Sequence, residues 1–227
     1  MSRSSASQHV ALLVLALFDS VQAGTAGCDK PSKLTSDVKT TIVTGEQRRW
    51  TLRIPINYNS TRPYRFIFGL YWLNDDMTSV DGGSAPYCGL KGLAQDSAIF
   101  VAPDGLQKGW TKNGGEDITF LNKMHFRAIA ILSGATLSGC NGGNDPIALH
   151  QQHGVKESNN GCQAKNAPEP AKNSRQRITT VYDGCKYPTQ WIAFDGDHVA
   201  LPDASIKDAG QNNFMPAEVW SFFSQFE

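Results

Sequence analysis

Gly115-Glu-Asp-Ile-Thr-Phe-Leu-Asn-Lys-Met124 and Arg127-Ala-Ile-Ala-Ile-Leu-Ser133 set a helical pattern directly ahead of a short, continuously apolar run. Glu116 and Asp117 place acids in the first helical turn, where the helix dipole favours them. The run that follows has the length and apolar continuity of a strand buried on both faces. Working backwards, Ala98-Ile-Phe-Val-Ala-Pro103 is a second such strand, ending in the turn pair Asp104-Gly105. The end of a short helix, residues 90–95, precedes it. Earlier still, residues 40–43 and 49–54 alternate apolar and polar side chains around Thr44-Gly-Glu-Gln47, a hairpin signal. Residues 63–71 form another strand, more continuously apolar and so more buried.

Working forwards, residues 146–150, 178–182 and 189–194 are further strands, the first of them the least marked. Residues 216–226 close the chain as an amphipathic helix. Pro216 takes the first helical position, and Val219, Phe223 and Phe226 are expected on one face. Antiparallel strands first, then strands alternating with helices, predict an α/β fold with helices on both faces of a sheet. In such folds the loops at the carboxyl ends of the strands carry the chemistry. Those loops are Asp104-Gly105, Leu132-Ser-Gly-Ala135, the segment after His150, and Asp195-Gly-Asp-His198.

The amino terminus carries Arg3, then the apolar run Val10-Ala-Leu-Leu-Val-Leu-Ala-Leu-Phe18, then Val21-Gln-Ala23 with small residues at the cleavage positions. That is the layout of a secretory signal peptide, and the run is far short of the roughly 20 residues that a bilayer requires. The expected organisation is a signal peptide over residues 1–23 and a single domain over 24–227, with Gly24 as the mature amino terminus and the protein outside the cell. A formal net charge of zero gives no electrostatic reason to expect nucleic acid or anionic lipid as a partner. The expected partner is neutral or uncharged, such as a polysaccharide or a small aromatic, and the expected state is a monomer.

Five cysteines, Cys28, Cys88, Cys140, Cys162 and Cys185, are disulfide candidates in an exported chain. No pair has zinc-finger spacing, so zinc is not expected; no other metal and no cofactor is expected either. The odd count leaves at least one thiol without a partner in the chain. Cys162 and Cys185 bracket a proline-containing loop and a strand, and are expected to pair. Asn59-Ser-Thr61 is an N-glycosylation acceptor in a turn-like stretch.

Phe194-Asp-Gly-Asp-His-Val-Ala-Leu-Pro202 can hold His198 above the end of the last strand, where an α/β-hydrolase keeps its triad histidine. Position alone equally allows a turn histidine beside two turn-forming aspartates. Several blocks, in order, break the tie: Arg49-Trp-Thr-Leu-Arg-Ile-Pro55, Ile99-Phe-Val-Ala-Pro-Asp-Gly105, Gly114-Gly-Glu-Asp-Ile-Thr-Phe120, Ala130-Ile-Leu-Ser-Gly-Ala135, Asn159-Asn-Gly-Cys162, Phe194-Asp-Gly-Asp-His198 and Glu218-Val-Trp-Ser-Phe-Phe223. Together they resemble the secreted feruloyl esterases of fungi that degrade plant walls, closest to the C type, over nearly the whole mature chain. The resemblance implies an α/β-hydrolase-like serine esterase that cleaves the ester between ferulic acid and arabinose in arabinoxylan. It makes His198 the general base and plant cell-wall polysaccharide bearing ferulate esters the partner. Trp72 and Trp110 are candidates to stack on sugar or ferulate, against a plainer role in the core.

The chain departs from that pattern at several points. No Gly-x-Ser-x-Gly occurs in it. Asn122-Lys-Met124 runs directly into His125-Phe-Arg-Ala-Ile-Ala130, where the family places a strand, a nucleophile elbow and a helix, so the sheet is expected to lack one central unit. After His153-Gly-Val155 the family's aspartate is replaced by Lys156-Glu157. Glu157 is a candidate acid, set against a plainer role as the tail of a helix. Ser84 has the leading Gly82 but no closing glycine and no strand before it, and Ser133 has Ile131 where an elbow needs a glycine, so both read as loop serines. Tyr71-Trp72 stands where the family has His-Trp, and Asn74-Asp75 replaces glycines there. Two readings result. One is a feruloyl esterase by descent. The other is an inactive copy, or a gene reading with skipped coding sequence, that at most binds feruloylated polysaccharide.

Overall fold

The computed structural model describes residues 35–110, 115–121, 128–132, 148–152, 160–196 and 214–226. The amino-terminal hairpin forms β1 (Asp37–Val43) and β2 (Glu46–Arg53), paired antiparallel from Val43↔Glu46 to Asp37↔Leu52. Its turn is only Thr44-Gly45, both at positive φ (51° and 83°), the geometry that suits the right-handed twist of a tight hairpin. Glu46 and Gln47 therefore belong to the strand, not to the turn. Next come β3 (Arg65–Phe68) and the short helix α1 (Met77–Asp81), then a 3-10 turn over Pro86–Gly89 and α2 (Leu90–Ala94). β4 (Ala98–Pro103) is buried at five of its six positions because β2 and β3 flank it. It runs antiparallel to β2 and parallel to β3.

The second half holds α3 (Glu116–Leu121), β5 (Ala128–Leu132), β6 (Ala148–Gln152), β7 (Arg177–Val181), β8 (Thr189–Phe194) and α4 (Met215–Phe223). β5, β6 and β8 are parallel and β7 closes the edge antiparallel. The architecture is α/β, as the alternation of patterns predicts. Instead of one sheet, the described strands form two sheets of four, ordered β1-β2-β4-β3 and β5-β6-β8-β7. β3 and β5 are therefore edge strands of different sheets.

One core nevertheless joins the two halves. Ile67, Tyr71, Met77, Val80, Phe100 and Ala102 from the first share a buried cluster with Ile192, Phe214, Met215 and Val219 from the second. The face of α4 differs from the expected one. Met215, Val219 and Phe222 are its buried positions, and Phe226 meets Phe222 edge-on at 5.3 Å. Phe223 lies on the flank, partly buried. Positions 215, 219, 222 and 226 advance by four, three and four, which is one face of an α-helix. Phe222 displaces Phe223 because tertiary contact selects one of two neighbouring stripes.

Cys162 and Cys185 form a disulfide with Cα atoms 4.0 Å apart, as expected. Around it Lys186 N donates to Asn160 O (2.8 Å) and Gln163 N to Asp183 O (2.9 Å), so the long segment before β7 is tied to the turn before β8. Cys88 is a free thiol, partly buried, and Cys28 and Cys140 lie outside the described residues.

Candidate active-site loops

β3 and β4 run parallel, so their carboxyl ends open on the same side. Two loops leave there, residues 69–76 and 104–110. Gly69 begins the first because a Cβ at that position would sit 2.4 Å from Val80 Cγ1. Tyr71, 4% exposed, then crosses to the second loop. Its hydroxyl accepts from Gly105 N at 2.7 Å and donates to Gly105 O at 3.1 Å. Gly105 fits beneath it only without a side chain, since a Cβ there would lie 2.1 Å from Gly109 O. Trp110 completes the contact. Its ring lies 5.2 Å from that of Tyr71 and its Nε1 donates to Tyr71 O at 3.1 Å. Asn74 N donates to Lys108 O at 2.8 Å. The two loops are thus latched through both side chain and backbone. Burial pushes the Tyr71 hydroxyl up to about 12, so it remains a neutral donor across the physiological range.

A buried ion pair supports the second loop from below. Arg48 on β2 pairs with Asp117 on α3, and the two residues are 2% and 3% exposed. Arg48 also donates to Asp104 O at 3.0 Å and lies 4.4 Å over the Phe120 ring. Asp117 Oδ1 accepts from Leu106 N at 3.3 Å. Asp104 reaches the other way, its Oδ1 accepting from Met77 N at the start of α1 (2.8 Å). One charge pair therefore fixes three elements and the chain direction after β4. Neither residue is legible as a partner in sequence. Arg48 stands out only as half of the Arg48-Arg49 pair, and Asp117 only as a helix-start acid.

The two tryptophans singled out from sequence take different places. Trp110 is half-buried and its indole N–H is engaged in the latch. Trp72 is 65% exposed at the tip of the β3 loop, between Leu70 and Leu73, both also exposed. Ser84 is exposed in the turn after α1 and follows no strand. His198, Glu157 and Ser133 lie outside the described residues, so the latch is not shown together with them. The approach to His198 is described as far as Gly196. Asp195 N donates to Gln176 O at 3.0 Å and Asp195 Oδ2 accepts from Arg175 N at 2.8 Å, which anchors the end of β8 to the segment before β7. Among the described residues no group of three or more His, Cys, Asp or Glu is placed to hold a metal, and no helix is long and apolar enough to cross a membrane.

No protein-family model matches the chain. Whole-protein similarity is extensive. The chain is 34% identical to a probable feruloyl esterase C of Aspergillus terreus, over 92% of this chain and 94% of that one. It is 33% identical to feruloyl esterase C of Emericella nidulans, over 93% and 96%. It is 35% identical to feruloyl esterase D of Neurospora crassa, over 95% and 96%. An α/β fold with latched loops beyond its parallel strands, matched along its length by ester-cleaving enzymes, defines a carboxylic ester hydrolase by family. Within that class, the chain belongs to the fungal feruloyl esterases. The alignments run over 263, 267 and 282 positions, each more than the 227 residues of this chain. Each relative therefore carries internal stretches with no counterpart here.

Proposed function

We propose that this chain is by descent a secreted monomeric esterase of the α/β-hydrolase type, with His198 in the place of the base, built to hydrolyse the feruloyl–arabinose ester of arabinoxylan in plant cell-wall degradation, and that turnover requires a nucleophile unit which its 227 residues do not carry. The observation that carries the reading is the similarity of 33–35% to named feruloyl esterases over more than nine-tenths of both chains. The signal-peptide pattern over residues 1–23, with cleavage before Gly24, supports secretion. Sequencing the amino terminus of protein recovered from medium tests it, and retention of Met1 overturns it.

In this chemistry a serine hydroxyl attacks the ester carbonyl while the histidine takes its proton. Backbone N–H groups hold the oxyanion, and the histidine returns the proton to the departing sugar oxygen. Water then cleaves the acyl-enzyme by the same route, releasing ferulate. The histidine position is present as His198. The serine requires a strand–elbow–helix unit, and the proposal assigns that unit to the surplus stretches of the relatives, at Met124–Phe126 of this chain. The division of the sheets supports this placement. β3 ends one sheet and β5 begins the other, and a parallel strand joined between them would make a single sheet ordered β1-β2-β4-β3, new strand, β5-β6-β8-β7. Without it, His198 can act only as a general base on water, a contribution of roughly 10²–10⁴-fold.

Two proteins, assayed on methyl ferulate, test the reading. One has the 227 residues as written. The other carries, between Met124 and Phe126, the corresponding stretch of the Neurospora crassa enzyme together with its acid segment after Val155. The second is expected to turn over and to lose activity on His198→Ala, with the first near background. Robust hydrolysis by the first, lost on mutating Ser84 or Ser133, would show that the nucleophile has been misplaced.

A further inference from the structure

Asn59-Ser60-Thr61 is the chain's one Asn-x-Ser/Thr triplet. Its local geometry meets the demands of amide modification. Asn59 is exposed. Its Oδ1 accepts from Thr61 N at 2.9 Å and from Thr61 Oγ1 at 2.8 Å. The oxygen is thereby engaged within the triplet, and the amide nitrogen, the atom that takes the sugar, is left without a protein partner among the described residues. The turn itself is firm. Tyr64 Oη accepts from Asn59 N (2.7 Å) and from Arg62 Nε (2.8 Å), and Tyr58 stacks on Tyr64 at 5.0 Å.

Asn160-Gly161-Cys162 provides an internal contrast, having cysteine in place of the hydroxyl residue. Asn160 is 2% exposed and its Nδ2 donates to Thr189 Oγ1 at 2.7 Å, while Cys162 is engaged in the disulfide. That site is closed in the folded chain, and the Asn59 site is open.

We propose that Asn59 carries an N-linked glycan at the end of the sheet remote from the Tyr71–Gly105 latch. Asn59 precedes the amino end of β3 and the latch follows its carboxyl end. A four-residue strand separates them by about 13 Å, so the glycan leaves the loops clear. It instead shields Ile56, 93% exposed, beside the Tyr58–Tyr64 pair. A bulky hydrated group is well suited to cover such an apolar patch. The proposal rests on the secretion reading, because the transferase meets only chains that enter the secretory lumen.

The test expresses residues 24–227 behind a secreting eukaryotic host's own leader, and the complete chain behind its native leader. Cells and medium are pooled, since transfer occurs before export. Treatment with a peptide N-glycosidase is expected to increase gel mobility and to leave aspartate at position 59 by mass spectrometry. Asn59→Gln and Thr61→Ala should abolish the change, and Thr61→Ser and Ser60→Ala should retain it. An unmodified Asn59 in protein made behind the host's leader overturns the proposal. Modification behind the host's leader but not behind the native one shows Asn59 to be a competent acceptor, overturns the secretion reading, and with it the glycan on the natural protein.

Discussion

The Tyr71 hydroxyl bonds both the N–H and the C=O of Gly105, at 2.7 and 3.1 Å, so one phenol holds a single residue from both sides. The two residues lie 34 positions apart, and their contact fixes the relative placement of the loops after β3 and β4.

Tyr71→Phe removes only the hydroxyl and leaves two partly buried backbone groups unpaired. The expected cost is about 1–3 kcal/mol. Gly105→Ala should cost about as much by overpacking, because its new methyl meets the backbone oxygen of Gly109 at 2.1 Å. Urea denaturation followed by tryptophan fluorescence checks both. An unchanged midpoint for Tyr71→Phe would remove the latch from the account of this region.

The Arg48–Asp117 pair should behave as a buried charge pair does. Asp117→Asn leaves an almost inaccessible guanidinium without its counter-ion, with an expected loss of about 3–5 kcal/mol. Against a typical total stability of 5–15 kcal/mol, that is enough to populate unfolded chain. The double variant Arg48→Met/Asp117→Leu should lose much less than the sum of Arg48→Met and Asp117→Leu made singly, because it removes the charges together. Denaturation midpoints at the four corners of the cycle provide the measurement, and additivity would argue against the pairing.

Most of the strands were legible because apolar continuity marks a buried strand wherever it pairs. The sequence pattern marks both β4 and β8 at their observed bounds: β4 is an uninterrupted apolar run, β8 is apolar from Trp191 onward, and each leads into Asp-Gly. α1 was not legible. Five residues are too few for a helical period, and its sign is only the cap at Asp76, whose carboxylate accepts from Thr78 N. The latch was equally hidden, since nothing local in Tyr71 or Gly105 names the other. Sequence offers Trp110 as a platform for sugar or ferulate or as a core residue, and only the structure shows its N–H engaged on Tyr71 O. His198 and Glu157 were read from strand order and resemblance, and they lie outside the described residues.

The stripe on α4 separates two neighbouring phenylalanines. Phe222 is 2% exposed and packs on His150 at 5.6 Å, whereas Phe223 sits on the flank. Phe222→Ala is expected to cost about 3–5 kcal/mol, the range for a large buried aromatic, and Phe223→Ala clearly less. Thermal denaturation of the two variants checks the order. The reverse order would restore the face expected from sequence.

Reduction of Cys162–Cys185, or its replacement by a pair of serines, frees a loop of sequence separation 23. In the chain-entropy description that costs about 3 kcal/mol. The loss should be visible as a lower melting temperature in reductant. Equal melting with and without reductant would mean that the segment before β7 is held by its backbone bonds alone.

His150 supplies the last prediction, a pH dependence of stability. Its side chain is fully buried on β6, Nδ1 shares a 2.7 Å bond with Gln190 Nε2, and Phe222 covers one ring face. Burial pushes its pKa down from 6.5 to about 4. The folded state therefore resists a proton that the unfolded chain accepts. Above the unfolded value both states hold the neutral ring, and the group exerts no pH effect. As pH falls below about 6.5 the unfolded chain takes up its proton first, and stability declines with a slope of up to one proton. The decline continues until the folded histidine also titrates near pH 4, by which point the loss amounts to about 3 kcal/mol. His150→Gln cannot titrate. Its unfolding free energy should fall less steeply than that of the parent between pH 6.5 and 4, whatever the absolute stability of the variant at pH 7. Parallel slopes in urea unfolding across that window would show that His150 does not resist protonation in the fold.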